Sequence, residues 1–207
     1  MAQAQKSVTI FGDSYSTYEG YLTPDTNEAW YFNKPSENTD VVSVTQTWWY
    51  QLIEKKGWRL ERNNSYSGST VSSSGYQGED YTPRSFVTRA DNLGNPDIIL
   101  VCAGTNDSWV PAPIGEYKYC DWTTDDLKAF RPSLACLFSR LGEYYPNAAI
   151  YFILNSELSD EIDSSVATIC EHYNIPLIEL QHIDKIAGHP SVEGMRKFAE
   201  QVGAVVD

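Results

Sequence analysis

The stretch Val8-Thr9-Ile10-Phe11-Gly12-Asp13-Ser14 (VTIFGDS) decides how the chain is read. Val8 to Phe11 are apolar, β-branched or aromatic, which predicts a short buried strand. Gly12, Asp13 and Ser14 follow at its end: a residue that permits a tight exit, then an acid and a hydroxyl. A strand buried on both faces has no packing reason to deliver polar groups at its tip. That tip is therefore a candidate site.

Outward from this strand, apolar runs and helical periodicities alternate. Residues 97–104 (DIILVCAG) form a continuous apolar run, the pattern of a parallel strand covered on both faces. Residues 58–65 (WRLERNNS) are more polar and predict an edge strand, and 148–155 (AAIYFILN) and 175–180 (IPLIEL) predict two more. Between them fall helical stretches at 44–57, which stops at Gly57, at 85–94, at 123–146 and at 159–174. Thr123 or Thr124 is expected to cap the third and Ser159 the fourth, while Pro132 must restart or kink the third. A terminal helix is expected over 189–202 with Pro190 in its first turn. Five strands alternating with helices predict an α/β fold: a parallel sheet between two helix layers, with 1–207 as a single domain.

Composition narrows the function. A net charge of −13 argues against nucleic acid and against an anionic membrane surface. No apolar run is long enough to insert in a bilayer. Met1 to Gln5 lead almost directly into the first strand without an apolar leader, so the chain as written is expected in the cytoplasm, or outside it if a signal peptide has been removed. Cys102, Cys120, Cys136 and Cys170 show no ligand spacing and do not predict a zinc site. No metal, nucleotide or flavin is called for, and GxGxxG is absent.

Two connections are long for this class, 15–44 and 108–121. Both follow strands, and so both belong at the carboxyl edge of the sheet, where open α/β folds bind ligands. They hold much of the aromatic content: Tyr15, Tyr18, Tyr21, Trp30, Tyr31, Phe32, Trp109 and Trp122.

A serine at a strand tip needs a base to become a nucleophile. Of the three histidines, His172 reads as a residue near a helix C-terminus, and His182 follows the fifth strand without an orienting neighbour. His189, between Gly188 and Pro190 before the last helix, is the best candidate base. Acyl transfer also needs donors for an oxyanion. Gly68 in NNSYSGST could offer a backbone amide, and Asn106 in AGTND a side-chain amide. Singly these are a turn glycine and a helix-cap asparagine; together they follow successive strand tips.

FGDS near the start, Gly68 in NNSYSGST, GTND at 104–107 and GHPSVEGM from 188, in that order, resemble the SGNH or GDSL-type serine ester hydrolases over nearly the whole chain. The resemblance implies a flavodoxin-like three-layer α/β/α sandwich of strand order 2-1-3-4-5. It implies Ser14 as nucleophile and His189 as general base and later acid. The oxyanion hole would be the backbone amides of Ser14 and Gly68 with the Asn106 side chain. One departure stands out. The family places an acid three residues before the histidine, where this chain has Ile186, and the nearest acid is Asp184. Either Asp184 reaches the imidazole through a longer loop, as a third triad member, or a backbone carbonyl orients the ring; the second is favoured, since Asp184 beside Lys185 reads as a solvated loop acid.

The family includes carbohydrate deacetylases, lipases and thioesterases. Aromatic faces stack on sugars, and an acyl tunnel would want the Leu, Ile and Met that the insertions largely lack. The expected substrate is a small-molecule or glycan ester with a short acyl group, with a lipase, a thioesterase or a catalytically silent glycan binder as alternatives.

Overall fold

The computed structural model describes residues 5–207. Five parallel strands form the central sheet: β1 Ser7–Gly12, β2 Arg59–Asn63, β3 Ile98–Cys102, β4 Ala149–Leu154 and β5 Leu177–Glu179, in the order β2-β1-β3-β4-β5. This is the expected fold class and order. β1 and β3 are buried along their whole length, as the continuous apolar runs require, and the polar β2 lies at the edge.

Side-chain alternation splits the core into two. Val8, Ile10, Ile98, Leu100 and Cys102 face one side, under α1 (Trp48–Lys56) and α6 (Val192–Gly203). Phe11, Ile99, Val101, Phe152 and Leu154 face the other. There α2 (Phe86–Arg89), α4 (Phe130–Tyr144) and α5 (Asp160–Tyr173) cover them. On the first side Trp48 and Phe198 stack at 4.3 Å, joining α1 to α6. Among the described residues no helix is long and apolar enough to cross a membrane.

Several boundaries differ from expectation, each for a local reason. The 44–57 stretch divides at Thr47 into a 3₁₀ turn, Val44–Gln46, and α1, which ends at Gly57 with φ of 64°. The helix expected from Thr123 begins only at Phe130: Thr123 bonds Asp126 through backbone and side chain, closing a separate turn, and Pro132 then falls in the first turn of α4. Pro190 is not in the last helix. It belongs to a small antiparallel hairpin, β6 (Lys185–Ile186) with β7 (His189–Pro190), and Ser191 caps α6. A further helical turn, α3 (Thr105–Trp109), follows β3.

The register aligns the sheet's carboxyl edge. Gly12 sits beside Cys102, and Cys102 beside Ile153. Residues just past those positions, Ser14, Asn106 and Asn155, emerge on one rim.

Candidate active site

Ser14 opens a 3₁₀ turn, Ser14–Ser16, directly beyond β1. Asp13 caps it, its Oδ1 accepting from the Tyr15 amide at 3.0 Å. A Cβ on Gly12 would run into the Ser16 side chain, so this tight exit requires glycine. As first residue of its turn, Ser14 has no acceptor for its amide within the turn.

His189 arrives from the other end of the chain. In the β6–β7 hairpin Ile186 pairs with His189 across Ala187 and Gly188, at φ of 47° and 77°, the signs of a type I′ loop. His189 Nε2 lies 2.9 Å from Ser14 Oγ, and Nδ1 lies 3.1 Å from the Ala187 carbonyl oxygen. A carbonyl only accepts, so Nδ1 carries the ring proton and Nε2 presents its lone pair to the serine hydroxyl. Both residues are buried, with Ser14 3% and His189 5% exposed.

Aromatic residues of the first insertion hold the histidine. Tyr15 donates from its hydroxyl to the Gly188 carbonyl at 2.5 Å, and Tyr31 to the Pro190 carbonyl at 3.0 Å. The backbone on each side of His189 is thus clasped by a buried tyrosine. Asn155, just past β4, donates to the Tyr15 oxygen at 3.1 Å. Burial raises both phenols above their ordinary range and keeps them protonated as donors. Trp30 lies over the imidazole face to face, centroids 3.7 Å apart and planes 7° from parallel, and Trp109 approaches edge-on at 5.9 Å. Burial lowers His189 to about 4, with the Lys185 charge adding and the Ala187 carbonyl opposing.

The third side is the loop after β2. Asn106, on α3, donates from Nδ2 to the Ser69 carbonyl at 2.9 Å and accepts from the Tyr76 hydroxyl at 3.2 Å. One amide proton of Asn106 remains for a ligand. The next residue, Asp107, accepts from the Val71 amide at 2.8 Å, which ties the loop to α3; burial pushes its carboxyl up to about 6. Arg89 is buried behind the loop, over the rings of Phe11 and Phe86, and donates to the Asn64 carbonyl and, at 3.1 Å, to Ser69 Oγ. Ser14, Gly68, Asn106 and His189 line one cavity of about 150 Å³, walled by Trp30, Trp109 and Tyr76.

Four residues named from the sequence therefore meet, and others do not. Asp184 is not a partner of the imidazole: its carboxylate accepts from the Ser191 hydroxyl, at the cap of α6. The extra loop residues form the hairpin turn and direct Ala187, not an acid, at Nδ1. His182 is exposed beyond β5, and His172 stacks on Tyr119 at 3.8 Å in the last turn of α5. Of the aromatics, Trp122 packs on the α4–α5 side of the core, Tyr18 is buried under α1, and Tyr21 lies 6.0 Å from Trp49. Sequence reasoning missed the roles of Tyr15 and Tyr31 as clasps and of Arg89 and Asp107 as loop anchors. Two tyrosines in the insertion after a candidate serine were the available signal; a buried arginine on a short helix left none.

This geometry can move a proton from a hydroxyl to an imidazole beside free amide donors. Comparisons with known proteins agree on the fold that carries it. Two solved GDSL-like lipase structures, from Bacteroides ovatus and Bacteroides uniformis, share 53% identity with the chain. The first covers 97% of each chain at a TM-score of 0.95, the second 99% of this chain and 96% of its own at 0.96. An acetyl xylan esterase from Butyrivibrio proteoclasticus shares the fold at 16% identity and a TM-score of 0.62, covering 99% of this chain and 64% of its own. No curated protein matches the chain in sequence. The family model described as GDSL-like lipase/acylhydrolase matches residues 6–206, and the chain belongs to that family.

Proposed function

We propose that the protein is a serine ester hydrolase that removes a short acyl group, acetyl above all, from a carbohydrate. The observation carrying this reading is the 2.9 Å approach of His189 Nε2 to Ser14 Oγ, with the tautomer set by Ala187. Ser14 Oγ attacks the ester carbonyl carbon as its proton passes to Nε2. The oxyanion forms against the Ser14 and Gly68 amides and the remaining Asn106 proton. The intermediate collapses: the bond to the alcohol oxygen breaks, and the alcohol leaves with the proton from Nε2. Water then attacks the acyl carbonyl, gives its proton to Nε2, and Ser14 Oγ departs with that proton as the acid is released.

The small cavity supports the choice of a short acyl group. Beside it lies a groove of about 220 Å³ lined by Trp30, Phe32, Lys34, Ser36, Asn38 and Thr39, which shares Trp30 with the cavity. Its aromatic faces and hydroxyl and amide groups suit a sugar ring on the alcohol side. The acetyl xylan esterase among the fold relatives accords with that assignment. The test compares initial rates on acetylated xylooligosaccharides, on esters of increasing acyl length and on acyl thioesters, with Ser14→Ala as the blank. Preference for acetyl on the glycan, abolished in S14A, supports the reading. A rate that climbs with acyl length replaces it with a lipase.

A further inference from the structure

His189 becomes a cation each time it takes the Ser14 proton, and the groups facing it decide what that costs. From its own hairpin come the Ala187 carbonyl and the Lys185 ammonium, the latter 2.9 Å from Glu157. From the turn after β1 come the Ser14 hydroxyl and the Tyr15 ring; from the first insertion, the Trp30 and Tyr31 rings; from α3, Trp109. No carboxylate is among these groups, and Asp184 is engaged with Ser191. Burial already disfavours the charged ring. In a triad an acid would offset that cost.

The electron-rich surface in contact with the ring is the indole of Trp30, parallel to it at 3.7 Å. A cation over an indole face is attracted by the ring quadrupole, and more strongly where water is excluded. A neutral imidazole gains only dispersion from the same contact. The difference appears only when the proton moves, so it favours the transition state over the ground state. The geometry points to Trp30 as the positioning residue that stabilises the His189 imidazolium in place of the missing carboxylate, while the Tyr15 and Tyr31 clasps fix its backbone. This inference rests on the serine hydrolase reading for its catalytic consequence, but not for the contact itself.

Two readouts test it. The first needs no turnover: the His189 ring is titrated by NMR in S14A, then with Trp30→Leu or Trp30→Phe added. With only three histidines in the chain, the resonance is assigned by its loss in a His189 variant. Trp30→Leu is expected to lower the midpoint by about one unit and Trp30→Phe by less. The second is kcat on p-nitrophenyl acetate with Ser14 intact. Trp30→Leu is expected to lower it about ten-fold, equivalent to about 1.4 kcal/mol, at nearly unchanged KM, with Trp30→Phe recovering part of the loss. A midpoint that stays or rises in Trp30→Leu means the indole only shields the ring from water, and overturns the proposal. So does a loss confined to KM. If the intact protein shows no Ser14-dependent turnover, the hydrolase reading fails while the titration still decides the contact; Trp30→Phe keeps both readouts available should Leu prevent folding.

Discussion

Replacing Asp13 with Asn should make the protein's stability less dependent on pH, by an amount the structure specifies. Asp13 is wholly buried, its Oδ1 holds the Tyr15 amide, and its Oδ2 has no hydrogen-bond partner. Burial pushes its carboxyl from 3.8 up to about 7, against the pull of the Tyr15 amide and of the nearby Thr105 hydroxyl. Across that window the folded protein keeps a proton that the unfolded chain has released, so stability falls as pH rises and the loss is complete above pH 7. Roughly three pKa units at about 1.36 kcal/mol each give about 4 kcal/mol. Asparagine keeps the Oδ1 acceptor and does not titrate. An unpaired amide donor would shift the whole comparison by a pH-independent amount of about 1–3 kcal/mol without changing its slope. His189 titrates in both proteins and cancels in the difference; Asp107, whose charge adds to the rise at Asp13, is coupled to it and cancels only in part. Urea unfolding of both proteins from pH 4 to pH 8 gives that difference directly. The variant should gain on the parent by about 4 kcal/mol between those limits. A flat difference, or one that runs the other way, would refute the assignment of Asp13 as a buried acid kept protonated by desolvation.

Two further outcomes follow from the site. With His189 lowered to about 4 by burial, the base is already free at neutral pH, and the acid limb of kcat/KM should fall near pH 4 and not near the ordinary histidine value; a limb near pH 6.5, measured on an activated acetate ester, would contradict the buried ring. Asp184→Ala should cost about 1 kcal/mol in denaturant unfolding, through the lost Ser191 bond, and leave kcat within about three-fold. A drop near the roughly 10⁴-fold loss of a triad acid would instead put Asp184 in the machinery.

The sheet was legible because its signal is local and strong. The apolar runs at 7–12 and 98–102 are buried strands, and the polar 59–63 is the edge strand, since each strand's burial is written in its own residues. Ser14, Gly68, Asn106 and His189 were legible as residues at or beyond strand ends, where the topology gathers side chains at one rim. What escaped depends on contacts distant in sequence. Trp30 reads as a packing aromatic until a hairpin more than a hundred residues later slides His189 beneath it. Asp184 and Ala187 compete for the imidazole, and a turn at positive φ in the hairpin decides between them. Thr123 looked like a helix cap because capping chemistry is the same for one turn as for a long helix, and the position of Pro132 set where α4 starts.

The central claim, that Ser14 carries the acyl group, is tested most directly by stopping the protein with acid during turnover of p-nitrophenyl acetate and mapping peptide masses. The account predicts an acetyl group on the peptide containing Ser14, absent in S14A. Turnover with no acyl-enzyme on that peptide, or with the acetyl group on another residue, would contradict it.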